Sequence, residues 1–343
     1  MGYNSLRETV TNATKGLTVK MIYIETGTVD ACLNFATEYY FAAEKQLSDD
    51  VLMLWQTVPT LMLGKYQNPY EEIDLNYAAE RGICLVRRLS GGGTIYTDPG
   101  GFQFSFIGSG SGEIEFERYI TPVVEALRTM GIPAEADGRN DIIADGRKIS
   151  GNAQYKAAGR TVHHGSLLFS TDIGEMERAT ALPGYKIRSK AIKSVRERVV
   201  NISELPELID KRLTPGEFKS KLLSLLPVTG EYILSEDDKC RIAELAEEKF
   251  RSESTVFGST PNFTAEKECH TSGGTVILGF EVKRGIITDV SVRGDFFSAG
   301  GVEALRDALI GTVFQKDAVK SAVAASGFEA FGTTAAELAE AIL

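Results

Sequence analysis

The sequence holds a single tryptophan and only four cysteines, and its cysteines are too scattered to build a shared site. Cys32, Cys84, Cys240 and Cys269 form no C-x-x-C pair. Neither a zinc site nor a disulfide framework follows, and a reducing cytoplasm is the expected compartment. Each cysteine reads as a small buried hydrophobe rather than a nucleophile. No apolar run approaches the roughly 20 residues that cross a bilayer, so no membrane partner is expected. Residues 1–20 lack the apolar stretch of a secretory signal and read as a flexible N-terminal extension rich in Ser and Thr. Positive charge is also short. Lys and Arg number 37 against 47 Asp and Glu, a net charge of −10. Nucleic-acid binding leans on a positive surface, so no such partner is expected.

What remains is ordinary for a globular chain, with 43% hydrophobic and 24% charged residues. Its 343 residues are too many for one small core and suit two domains or one large one. The spacing predicts strands over 21–25, 51–55, 60–64, 84–89 and 102–106, with helices over 29–45, 70–80 and 115–130. Residues 236–250 read as a charged linking helix. From about Ser254 the texture changes to a second hairpin, turning at Lys283-Arg284-Gly285, and three alanine-rich helical segments. The expected division is an extension over 1–20, a catalytic domain over 21–252 and a small α+β domain over 253–343.

Two segments carry chemistry. Arg87-Arg88-Leu89-Ser90-Gly91-Gly92-Gly93-Thr94 places three glycines after two arginines. Without Cβ atoms such a run can bring backbone N–H groups close to an anion, and the Arg88 guanidinium offers a fork for carboxylate or phosphate. Further on, Asp145-Gly146 supplies the positive φ angles of a two-residue hairpin turn. Pairing Ala144 with Arg147 sets Ile143 against Lys148 and Asp141 against Ser150, so Asp141, Lys148 and Ser150 are expected on one face. Lys148 is then a compact charge for developing phosphate negativity. A basic run, Lys186 to Arg198, is a candidate anion-site lining in an otherwise acidic chain.

These motifs and others in order resemble the lipoate–protein ligase A family. The resemblance includes Trp55, Gly64-Lys65-Tyr66-Gln67-Asn68-Pro69, Gly138-Arg139-Asn140-Asp141, Lys148-Ile149-Ser150-Gly151-Asn152 and His163-His164-Gly165. It continues through Ser194-Val195-Arg196, Phe257-Gly258 and Gly294-Asp295-Phe296-Phe297. It implies a mixed-sheet α/β core of the biotin–lipoate ligase type with a small C-terminal α+β domain. It also implies a two-step reaction: lipoate and ATP, with Mg²⁺, give lipoyl-adenylate, and the lipoyl group then passes to a lysine of a carrier domain. The carriers implied are E2 subunits of 2-oxoacid dehydrogenases and the glycine cleavage H protein, with a monomeric enzyme as the default.

By the same resemblance, Lys148 is the catalytic group, touching both nucleotide and acid. Arg88, Gly92, Gly93, Thr94, Ile95, Tyr96, Asn140 and Asp141 line the ATP site. Trp55, Arg88, Ser90 and His164 border lipoate, and Asp141 is the candidate Mg²⁺ ligand. The chain departs from the family at Thr97, commonly histidine, and at Gly100 or Gly101, commonly asparagine. Two other readings compete. An octanoyl or lipoyl transferase needs an acyl-pocket thiol, and residues 140–171 hold no cysteine. A non-catalytic lipoate- or carrier-binding relative would keep the pocket without adenylation.

Overall fold

The computed structural model describes residues 21–109, 115–137, 140–180, 198–258, 260, 262–271, 274–294, 302–328 and 334–342. The expected extension over 1–20, Gly138-Arg139, the basic residues from Lys186 to Arg196, Ser194-Val195-Arg196 and Asp295-Phe296-Phe297 lie outside the described residues.

In chain order the first part comprises β1 (Met21–Ile24), α1 (Ala31–Ala43), β2 (Asp50–Trp55), β3 (Thr60–Leu63), α2 (Pro69–Glu72), α3 (Leu75–Glu80), β4 (Cys84–Arg87), β5 (Ile95–Thr97) and β6 (Gly101–Ser109). Then come α4 (Phe116–Thr129), β7 (Ala134–Ala136), β8 (Asp141–Ala144), β9 (Arg147–Ala157), β10 (Arg160–Leu168), α5 (Ile173–Ala179), α6 (Pro215–Leu225), β11 (Val228–Glu231) and α7 (Glu236–Ala246). Eight strands form one mixed sheet in the order β11-β1-β2-β6-β10-β9-β8-β7. β1 runs parallel to both β11 and β2, and the pairs from β2–β6 onward are antiparallel.

Strand alternation divides the side chains between the two faces of this sheet. Leu52, Leu54, Phe102, Phe104 and Phe106 meet α4 and α6 on one side. Val51, Met53, Trp55, Ile107 and Val162 meet α1 and α7 on the other. Both faces are therefore buried. Four polar residues of β6 and β10, Gln103, Ser105, His164 and Ser166, alternate with the residues that face α4, and so stand on the α1 side. A small sheet, β4-β3-β5, packs beside it.

Residues 70–80 form two helices rather than the single one expected. Ile73 is extended at φ −135° and ψ 137°, and Asp74 starts α3 by accepting the Tyr77 N–H at 2.9 Å. A local carboxylate cap outcompetes continuation of the first turn. The segment over 236–250 is not a bare link either. Ile242, Leu245, Ala246 and Phe250 join the α1 core, with Phe250 stacked 5.8 Å from Phe35.

The C-terminal part adds β12 (Phe263–Thr271), β13 (Gly274–Lys283), β14 (Ile286–Gly294), α8 (Glu303–Leu309), α9 (Lys316–Ser326) and α10 (Ala335–Ile342). Arg284 and Gly285 turn the expected hairpin with φ of 52° and 76°. β12, which the sequence reading did not assign, completes an antiparallel three-stranded sheet. One face of it covers its own core, from Cys269 through Phe280 to Ile342.

Candidate active site

A cavity opens on the α1 side of the large sheet. Trp55, Phe35, Met62 and Ile95 give it an apolar wall, while Gly92, Gly93, Thr94, Asn140 and Lys148 give it a polar one. Arg88 and His164 edge it as well. Of the residues singled out from the sequence, nine thus converge on one space: Trp55, Arg88, Gly92, Gly93, Thr94, Ile95, Asn140, Lys148 and His164.

The glycine turn is shaped from behind by arginines. Arg88 is buried, and its guanidinium donates to the carbonyls of Met62 at 2.6 Å, Gly91 at 2.9 Å and Gly93 at 2.6 Å. The fork expected to meet a carboxylate or phosphate here grips the turn itself. Burial pushes its pKa down to about 10, so the group stays charged at neutral pH. Arg87 plays a similar part for the preceding loop, donating to the carbonyls of Gly64 at 3.0 Å and Gln67 at 2.7 Å. It also reaches the Val256 carbonyl at 2.8 Å, near the start of the C-terminal part. The carbonyl of Gly92 passes so near Gly64 that a Cβ there would lie 2.0 Å from it. That contact explains glycine at the start of Gly64-Lys65-Tyr66-Gln67.

Lys148 stands on the hairpin as expected, but the register does not continue as expected. The turn at Asp145 and Gly146 has φ of 49° and 70°, and Ile143 pairs with Lys148. A bulge between Ile142 and Ile143 then sets Asp141 against Gly151 and Ile142 against Ser150. The extra residue moves Ser150 off the Lys148 face. Its hydroxyl instead accepts from Asn152 Nδ2 at 3.3 Å. Gly151 takes the vacated place, with Lys148 Nζ only 2.8 Å from where its Cβ would be. The Asp141–Lys148 pair survives, Nζ to Oδ1 at 2.7 Å. The Lys148 carbonyl also accepts from Val200 N–H at 3.1 Å.

Three expected site residues do not present their side chains to the cavity. Tyr96 alternates away from Ile95 on β5 and joins the small core with Leu61 and Leu63. Asp141 touches the cavity only through Lys148. Ser90 is buried, accepting from Arg88 Nε at 3.1 Å and bonding His164 Nε2 at 2.7 Å. Thr97, at the position commonly histidine, is buried and accepts from Gln103 Nε2 at 3.0 Å. Gln103 lines the cavity.

The sequence reading missed Glu38. It is fully buried on α1, with Oε2 3.1 Å from His164 Nδ1 and Oε1 accepting from Ser105 Oγ at 2.5 Å. Its signal was a carboxylate three residues from Phe35 and three from Phe41, on the stripe a core-facing helix reserves for apolar residues.

Of the two adjacent histidines, His163 is the inward one. It stacks on Tyr119 at 4.9 Å and lies between Gln154 Nε2 at 2.9 Å and Asn152 Oδ1 at 3.1 Å. Burial, with His164 nearby, holds its pKa well below the ordinary value. The folded protein keeps it neutral, so its contribution is whole above about pH 6.5, where the unfolded chain's imidazole is also neutral. Below that pH the unfolded chain gains a proton that the fold refuses, and stability falls by at most about 1.4 kcal/mol per pH unit. Melting temperatures at pH 7.5 and 5.5 should therefore differ more for wild type than for His163→Gln. Equal differences would show that His163 is not the group.

Comparison with known proteins now bears on this arrangement. Residues 30–226 match the lipoyl protein ligase A/B catalytic domain, and residues 260–342 match the bacterial lipoate protein ligase C-terminus. The chain is 37% identical over 308 residues to lipoate-protein ligase LplJ of Bacillus subtilis, spanning 87% of this chain and 92% of that one. The chain belongs to the lipoate–protein ligase family. It is also 36% identical to lipoate–protein ligase 1 of Staphylococcus aureus, over 86% of this chain and 90% of that one. Among solved structures, the bipartite lipoate protein ligase of Thermoplasma acidophilum, studied with its E2 lipoyl domain, superposes with a TM-score of 0.62. That likeness is at 24% identity and covers 71% of this chain and 98% of the other, so it speaks for the fold. The expected lipoate ligase architecture is thus found, a mixed-sheet α/β core followed by an α+β part.

Proposed function

We propose that this chain joins lipoate to ATP as lipoyl-adenylate and then transfers the lipoyl group to a lysine ε-amine on a carrier domain. The observation that carries this reading is the Lys148 ammonium at a cavity that combines an apolar wall with a glycine turn. An acyl chain suits the wall of Trp55, Phe35 and Met62, and phosphates suit the turn at Gly92, Gly93 and Thr94. In the first step a carboxylate oxygen attacks the α-phosphorus and pyrophosphate leaves. In the second a neutral amine attacks the acyl carbon, AMP leaves, and the amine loses a proton to solvent. Lys148 stabilises negative charge on the α-phosphate in both. Arg88 and Ser90 border the carboxylate end by holding the turn and His164, while Ile95 and Asn140 flank the nucleotide.

Mg²⁺ belongs to this reaction with the nucleotide. No group of three His, Cys, Asp or Glu side chains gathers among the described residues, so the ion would be held chiefly by phosphate oxygens, with the Asp141 carboxylate, engaged by Lys148, as at most one further ligand. The cofactors in this reading are ATP and Mg²⁺ as co-substrate, with lipoic acid as acyl substrate.

We place the catalytic unit at 21–252 and an accessory unit at 253–343, with E2 subunits of 2-oxoacid dehydrogenases and the glycine cleavage H protein as carriers. A reducing cytoplasm fits the scattered free thiols, a monomer is the default, and no helix among the described residues is long and apolar enough to cross a membrane. A transferase working through a thioester finds no support, since none of the four cysteines lines the cavity.

Lipoate-dependent exchange of pyrophosphate into ATP, followed by a mass shift on an apo lipoyl domain, tests the whole reading. Both signals are expected. Lipoate binding without exchange would instead favour a binding protein, and transfer from an acylated carrier without ATP would favour a transferase.

A further inference from the structure

The hydrogens around buried Glu38 can be assigned from the two ends of its network inward. At one end the Trp55 indole N–H can only donate. Ser105 Oγ accepts it at 2.9 Å and turns its own proton to Glu38 Oε1 at 2.5 Å. At the other end Arg88 Nε can only donate. Ser90 Oγ accepts it at 3.1 Å and turns its proton to His164 Nε2 at 2.7 Å. Nε2 is then the acceptor nitrogen, the ring proton sits on Nδ1, and Nδ1–H donates to Glu38 Oε2 at 3.1 Å. Both runs converge on one carboxylate.

We infer that Glu38 is a positioning residue for ligation: accepting from Ser105 and His164 at once, it ties the Trp55 wall of the cavity to the arginine that shapes the glycine turn. The inference rests on the function proposed above. His164 Nδ1 lies within reach of both oxygens, 3.1 Å from Oε2 and 3.3 Å from Oε1, and a carboxylate meets both runs because it offers lone pairs on each oxygen and no hydrogen on either. Glutamine has the same shape but must turn its NH₂ toward one neighbour. Turned to Ser105, it gives that hydroxyl a second incoming donor and strands the hydroxyl's own proton. Turned to His164, it drives the ring proton to Nε2 and strands the Ser90 proton instead. A buried polar group left without a partner is costly, and here the cost falls on one wall of the cavity.

Glu38→Gln in the full chain tests this. The chain holds one tryptophan and three histidines, so Trp55 emission and a nitrogen-resolved imidazole spectrum read the network in the free protein. Wild type is expected to show His164 protonated at Nδ1. The variant is expected to change either that tautomer or the Trp55 emission, and to lower kcat/KM for lipoate by about 10- to 100-fold. Ser105→Ala provides a second variant should the first not fold, with altered Trp55 emission and an unchanged His164 tautomer. A wild-type proton on Nε2 would overturn the inference. So would altered spectra with kcat/KM unchanged, which would make Glu38 merely structural. An inactive wild type with the expected tautomer would instead sink the ligase reading and leave the network standing, so the two failures are distinguishable.

Discussion

Lys148→Ala is expected to slow lipoyl-adenylate formation by about 10²- to 10³-fold while leaving the fold intact. The magnitude is that of removing one preorganised electrostatic donor, about 3–4 kcal/mol of barrier. The Lys148 side chain is 38% exposed and its ion partner Asp141 is 24% exposed, so the pair itself adds only about 0–1 kcal/mol to stability. Loss of the ammonium also leaves the Asp141 carboxylate without its ion partner at the cavity edge. Single-turnover adenylate formation, followed alongside a melting curve, separates the two effects. A variant within a few-fold of wild type would move the chemistry away from Lys148. A melting temperature lowered by more than a few degrees would show the hairpin, not the charge, to be at fault.

Gly64→Ala should be the most damaging small change at the glycine turn. Its Cβ would lie 2.0 Å from the Gly92 carbonyl oxygen and 3.2 Å from Gln67 Oε1. The Gln67 side chain can move, but the Gly92 carbonyl is backbone. It is flanked by Gly91 and Gly93, whose carbonyls Arg88 holds, and the Gly64 carbonyl is itself held by Arg87. Relief therefore requires shifting a peptide inside a set of charge-assisted bonds. The expected cost is about 1–3 kcal/mol of stability, as for other overpacked sites. A displacement of about 1 Å in a substrate-positioning turn lowers kcat/KM by about 10²-fold, and kcat/KM for ATP is the parameter to watch. Normal ATP kinetics in the variant would mean that the Gly92 peptide does not contact the nucleotide.

The parts of this site that were legible in the sequence are the parts set by local backbone chemistry. Gly91-Gly92-Gly93 announces a chain that can approach a ligand, and Asp145-Gly146 announces a tight turn, because both signals depend on φ angles that few residues adopt. The turn then fixed Ile143 opposite Lys148. Beyond that pair the pattern gave no warning of the bulge that exchanged Ser150 for Gly151, since a bulge is chosen by how Ile142 and Ile149 reach the core together. Alternation likewise sets His163 and His164 on opposite faces of their strand, without saying which faces α4.

Glu38 and Arg88 show the other limit. In the sequence Glu38 is one acid among many, and it became part of the site only when α1 packed on the sheet and met Ser105 and His164, which are 67 and 126 residues away. The guanidinium of Arg88 was legible as a charge near the glycines, but its direction was not. Its acceptors are carbonyls whose orientation exists only in the folded turn.

The sequence by itself determined the alternation of strands and helices, the glycine turn, the lysine hairpin and, through their order, the family. These rest on short-range sterics and periodicity, which each segment carries within itself. The tertiary structure alone decided which face of the sheet holds the cavity, where the arginines point and that one buried carboxylate joins its two walls. Those are long-range matters: they depend on the packing of helices on the sheet and on satisfying every buried donor at once, and no single segment contains that information.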